Sequence, residues 1–82
     1  MVVSMITARQ IRAARALLGW TQQELADRAI VALNAVARIE RGSSDPRAST
    51  INAIEVALKK AGVEFITADQ KGEGVRLKSP KG

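Results

Sequence analysis

The sequence contains no cysteine, no histidine and no tyrosine, and only two prolines, one tryptophan and one phenylalanine. Without cysteine and histidine there are no disulfides, thiolate nucleophiles, imidazole bases or ordinary zinc sites, which excludes most familiar enzyme centres. No run approaches the ~18 consecutive apolar residues of a membrane span. Met1 to Ile6 lacks the charged leader and the apolar stretch of roughly 7–15 residues that mark a secretory signal, so the chain is expected in the cytoplasm. Met5 serves as a start as well as Met1 does, and no internal repeat or low-complexity block is present.

What is present fits one small folded domain. The chain has 82 residues, 46% hydrophobic and 26% charged, which is ordinary for a globular protein and too apolar for a disordered one. Thirteen Lys and Arg stand against eight Asp and Glu, a formal charge of +5, with an isoelectric point near 10.5. A polyanionic partner is the first expectation from that balance. The excess is spread along the chain: residues 1–48 carry seven Arg against four acids, and residues 49–82 six basic residues against four.

Local patterns predict the elements. Thr7 and Gln10 have capping-box spacing, as do Thr21 and Glu24, so helices are expected to start at both places. The first carries Ile11, Ala14, Leu17 and Leu18 as its apolar face and ends at Gly19, leaving a sharp turn before the second. Leu25, Ala26 and Ala29 continue the core. A third helix is expected over Leu33 to Arg41, with Val36 and Ile39 inward and Gly42 closing it. Gly42 to Asp45 and Pro46 have loop composition. Ser49 is the expected N-cap of a fourth helix with Ile51, Ile54, Leu58 and Ala61 on one side and Gly62 at its end. Val63 to Thr67 and Val75 to Lys78 then read as a hairpin around a polar loop containing Gly72 and Gly74.

Two short helices joined tightly, Gln22 to Arg28 and Leu33 to Arg41, match a helix-turn-helix, whose second helix enters the DNA major groove. Leu18-Gly-Trp-Thr-Gln-Gln-Glu-Leu-Ala26, then Val36-Ala-Arg-Ile-Glu-Arg-Gly42 and Pro46, resemble the Xre/Cro-type, lambda-repressor-like regulators of bacteria and phages. The resemblance spans roughly Ile6 to Ala61. It implies a mainly α fold: a compact four- to five-helix helix-turn-helix domain over 6–62, with the motif at about 21–41. A short C-terminal β-hairpin over 63–78 follows as a candidate dimerisation element, and 79–82 form a flexible tail.

Residue chemistry supplies the candidate contacts. Gln22 combines free backbone amides at a helix start with a side-chain donor, which suits a phosphate; Thr21 is first a cap and second a phosphate contact. Leu33, Asn34 and Arg38 are non-core positions of the third helix, with 34 and 38 on one side. Asn pairs with adenine and Arg with guanine, while Leu33 offers only apolar contact to a thymine methyl or a sugar. Arg41 and Arg47 resemble the family's backbone-contact positions, and Arg15 and Glu40 resemble its largely buried ion pair. Arg9, Arg12, Lys59 and Lys60 read as solvated helix faces, and Trp20 as core.

Two positions depart from the family pattern. Ile30 stands where the turn usually has a glycine at positive φ, and Ala32 where Ser or Thr usually caps the recognition helix. Either the turn is rebuilt or it is strained, and the missing cap costs about 1 kcal/mol.

A lone hairpin is marginal in water, so Val63, Phe65, Val75 and Leu77 must bury their common face against the helices or a second subunit. The leading expectation is a sequence-specific DNA-binding transcriptional regulator that acts as a homodimer on an inverted-repeat operator, without catalysis, metal or cofactor. It would act in the cytoplasm, on the nucleoid when bound. The alternative is an antitoxin or other interaction module that uses the same fold to bind a partner protein.

Overall fold

The computed structural model describes residues 6–42, 47–67 and 72–78. Four helices come first: α1 (Ala8–Leu18), α2 (Gln22–Ala29), α3 (Leu33–Glu40) and α4 (Ala48–Lys60). Two strands, β1 (Val63–Ile66) and β2 (Gly74–Leu77), follow as an antiparallel pair. Residues 43–46, expected as a loop, and 79–82, expected as a tail, lie outside the described residues.

Both capping boxes are complete. The Gln10 amide donates to Thr7 Oγ1 at 3.1 Å while the Thr7 amide donates to Gln10 Oε1 at 2.9 Å, and Glu24 and Thr21 do the same at 3.1 and 2.9 Å. Gly19 adopts the left-handed conformation at φ 71° and ends α1. The Trp20 amide can then return to the Arg15 carbonyl at 3.0 Å, which satisfies an otherwise orphaned acceptor.

The helices share one core, formed by Ile11 and Ala14 of α1, Leu25, Ala26 and Ala29 of α2, Val36 and Ile39 of α3, and Ile51, Ile54, Ala57 and Leu58 of α4, closed by Ile6 and Val63. Three details differ from the sequence pattern. Leu17 is 45% exposed, because six residues beyond Ile11 carry it about 240° round the helix. Ala61 is only half-buried, since α4 ends before it, and Ala57 takes the inward place. Ser49 is not the N-cap: α4 starts at Ala48 behind Arg47, which makes no side-chain cap bond.

The hairpin is seated on α1 and α4. Its register sets Val63 opposite Leu77 and Phe65 opposite Val75, so those four side chains share a face. Val63 is fully buried, Phe65 and Val75 pack partly against the core, and Leu77 stays 42% exposed. Gly74 belongs to β2 rather than to the loop, opposite Ile66. The buried Gln10 side chain reaches the loop end of this ladder: its Nε2 donates to the carbonyls of Ile66 and Gly74, both at 3.0 Å. Beside it Glu73 accepts from Thr7 Oγ1 at 2.9 Å and Arg9 Nε at 2.8 Å. Arg9 is thus an ion-pair partner of Glu73 as well as a solvated residue. These bonds stabilise the two-stranded sheet within one chain.

Candidate nucleic-acid interface

The site begins at the turn between α2 and α3. Ile30 has φ 57° and ψ 51°, in the left-handed region, and is 89% exposed. The turn keeps the geometry that normally calls for glycine, with the Val31 amide donating to the Ala26 carbonyl at 3.0 Å. Of the two expectations, strain holds and rebuilding does not. An L-residue here costs about 1–2 kcal/mol, more for a β-branched one, and no burial of the Ile30 side chain offsets it. Ala32 then starts α3 without a side-chain cap.

α3 turns Val36 and Ile39 inward, which leaves Leu33, Asn34 and Arg38 on its outer side, all exposed. Asn34 and Arg38 are one turn apart on one face. Arg41 follows at the end of α3 and Arg47 precedes α4, both exposed. No hydrogen bond or ion pair to another described residue occupies the side chains of Asn34, Arg38, Arg41 or Arg47.

Gln22, the first residue of α2, is held differently. Its Nε2 donates at 3.0 Å to Glu40 Oε1, so the side chain is fixed from within. Glu40 is 4% exposed and forms a two-pronged pair with Arg15: Nε to Oε2 at 2.8 Å and Nη2 to Oε1 at 3.0 Å. Arg15 Nη1 also donates to the Trp20 carbonyl at 3.0 Å. The bond to Glu40 outweighs burial and holds the Arg15 guanidinium above its ordinary pKa. Arg12, expected as a solvated residue, donates from Nη1 to the Glu40 carbonyl and so closes the end of α3. Side chains of α1 thereby hold α3 by its last residue and, through Glu40, hold the first side chain of α2.

The electrostatics follow from this arrangement. Among the described residues, the carboxylate at the junction, Glu40, is buried and paired with Arg15, whereas Arg38, Arg41 and Arg47 are exposed. The described residues thus set three exposed cations around a short helix whose outer face carries one amide and one guanidinium. Such a surface can hold phosphates by charge and read base edges by paired hydrogen bonds.

Trp20, expected as core, packs only partly against it, and the Arg28 guanidinium lies over its ring at 4.5 Å from the centroid. Sequence reasoning missed Gln10, Arg12 and Glu73 as anchoring residues; the only local signal was the position of Gln10 in the capping box. Among the described residues no three His, Cys, Asp or Glu side chains converge as a metal site, and no described helix is long and apolar enough to cross a membrane.

No curated protein matches the chain. The sequence pattern of the helix-turn-helix family matches residues 11–65, from the middle of α1 into β1. The chain therefore belongs to the Xre/lambda-repressor-like helix-turn-helix family of DNA-binding proteins.

Proposed function

We propose that the chain is a sequence-specific transcriptional regulator that binds operator DNA with α3 in the major groove. The observation that carries this is the pair Asn34 and Arg38, exposed one turn apart on α3 without partners among the described residues. Asn34 reads adenine, Arg38 reads guanine, and Leu33 packs on a thymine methyl or a sugar. Gln22 with the Thr21 end of α2 grips one phosphate, and Arg41 and Arg47 grip others. Occupancy of the operator, without catalysis, represses or activates according to where the site lies.

One recognition helix reads only a few base pairs, so the active species is a homodimer on an inverted repeat, with half-sites about one helical turn apart. Leu77 on the hairpin and Val56 on α4 are the half-exposed apolar residues of the two elements suited to the dimer contact. The protein would work in the cytoplasm of a bacterium, or of a phage's host.

A titration against DNA from the protein's own gene neighbourhood, repeated over a range of salt, tests the reading. If Arg41 and Arg47 of two protomers neutralise about four phosphates, log K falls against log salt with a slope of roughly −4. Equal affinity for that DNA and for random sequence would overturn sequence-specific regulation. It would leave the alternative of a module that binds a partner protein.

A further inference from the structure

Away from α3, a groove of about 260 Å³ opens between the C-terminal ends of α2 and α4, lined by Trp20, Arg28, Ala57, Lys60 and Ala61. Its floor is apolar and shallow because Ala57 and Ala61, one turn apart, carry only methyl groups. Its walls hold two cations and the only indole in the sequence. The Arg28 guanidinium lies over the Trp20 ring, so its face is occupied while its N–H edge remains available. Neither Arg28 nor Lys60 is in an ion pair with a described residue, whereas the neighbouring Lys59 is taken by Glu55 at 2.9 Å.

An apolar slot with two cations at its rim, neither paired with a described residue, complements a flat apolar group bearing a negative charge. The volume lies below the roughly 300–1,000 Å³ of sites for drug-sized ligands, which restricts the occupant to about one ring. A planar carboxylate also meets the edge of a guanidinium in its own plane, through two parallel hydrogen bonds. We propose that this groove binds a small aromatic carboxylate, with the carboxylate between Arg28 and Lys60 and the ring against Ala57, Ala61 and the edge of Trp20 that Arg28 leaves uncovered.

The site is separate from the DNA-facing surface. Arg28 follows Gln22 by six residues, about 9 Å along α2 and roughly 120° round it, and Lys60 ends α4 rather than α3. The helix-turn-helix domain itself would then have a place for a small effector, and the inference stands whether or not α3 reads DNA.

Trp20 makes the test direct, since indole fluorescence and the indole Nε1–H resonance each report one residue. The full chain is titrated with sodium benzoate at constant ionic strength, and in parallel with benzamide, its neutral counterpart, and with inorganic phosphate. Benzoate is expected to shift the Trp20 signals saturably while benzamide and phosphate leave them almost unchanged. Losing one charged hydrogen-bond donor weakens binding roughly tenfold, so Arg28→Ala and Lys60→Ala are each expected to do so. Lys60→Arg should largely retain it. Both positions are solvent-facing, and far-UV circular dichroism verifies that the variants fold. Equal responses to benzoate and benzamide, an equal response to phosphate, no saturable response, or undiminished binding by both alanine variants would each overturn the proposal.

Discussion

Gln22 and Arg15 meet on the same oxygen: Nε2 of the one and Nη2 of the other both donate to Glu40 Oε1, each at 3.0 Å. A residue at the proposed phosphate-gripping end of α2 is thus held by a carboxylate at the far end of α3, and that carboxylate by a cation from α1. One carboxylate oxygen thereby ties α1, α2 and α3 together.

Substitution at this junction should have unequal effects. Arg15→Ala leaves the Glu40 carboxylate buried with Gln22 as its remaining side-chain partner. Breaking a fully buried pair costs about 3–5 kcal/mol; because the Arg15 side chain is partly solvated, about 2–3 kcal/mol is expected here. Gln22→Ala, which removes one hydrogen bond to a charged group that keeps its ion pair, should cost about 1 kcal/mol. Urea denaturation of the two variants measures the difference, and equal losses would show that the ion pair is not the main strut.

The strained turn predicts a gain. Ile30→Gly removes the left-handed penalty from an exposed side chain, and the greater freedom of glycine in the unfolded chain takes back part of it. A net increase of about 0.5–1 kcal/mol is expected, or roughly 3–6 °C in melting temperature for a domain of this size. A clear fall in melting temperature would mean that Ile30 has an unstrained packing role.

The hairpin should detach when its staple is removed. Gln10→Ala deletes both bonds from Nε2 to the carbonyls of Ile66 and Gly74, together with half of the α1 capping box, at a cost of about 2–3 kcal/mol. Amide hydrogen exchange should accelerate first in β1 and β2. Uniform acceleration across all four helices would instead indicate that the hairpin and the helices open together.

Acid should loosen the same region. Hydrogen bonds from Arg9, then from Thr7, hold the Glu73 carboxyl below its ordinary range, and Arg76 does the same for Glu64. A carboxyl with a depressed folded pKa contributes stability that is present above its unfolded value, about 4.3, and is lost as pH falls through the lower folded value. Stability should therefore be level from neutrality to about pH 5 and decline below that. Glu73→Gln, measured by thermal melts across pH, should flatten part of the decline; an unchanged profile would show that other carboxylates cause it.

On DNA the arginines should divide by role. Arg38→Ala is expected to cost about 1–3 kcal/mol on the operator and little on random sequence. Arg47→Ala should weaken both alike and reduce the salt slope by about one per protomer. Competition titrations at two salt concentrations separate these outcomes.

The sequence by itself determined the features made by neighbours along the chain. Thr7 with Gln10 and Thr21 with Glu24 lie three residues apart, so each capping box closes within one turn and its residue types announce it. Ile51, Ile54 and Leu58 repeat at the helical period, and Val63, Phe65 and Val75 alternate as a half-buried strand pair should. The helix-turn-helix motif was legible for the same reason. Ser49 shows the limit of such reading, because a residue able to cap a helix does not do so when the chain enters that helix two residues earlier.

Only the tertiary structure decided how the parts hold one another. The two carbonyls that Gln10 binds lie 56 and 64 residues away, and no local pattern selects them; the packing of the hairpin on α1 and α4 brings them there. Arg12 and Arg15 meet Glu40 because α1 packs on α3, Gln22 meets it because α2 does, and Trp20, Arg28 and Lys60 share a groove because α2 packs on α4. Ile30 is strained for a related reason: α2 and α3 are each fixed in the core, and the direction between them requires the left-handed turn whichever residue stands in it.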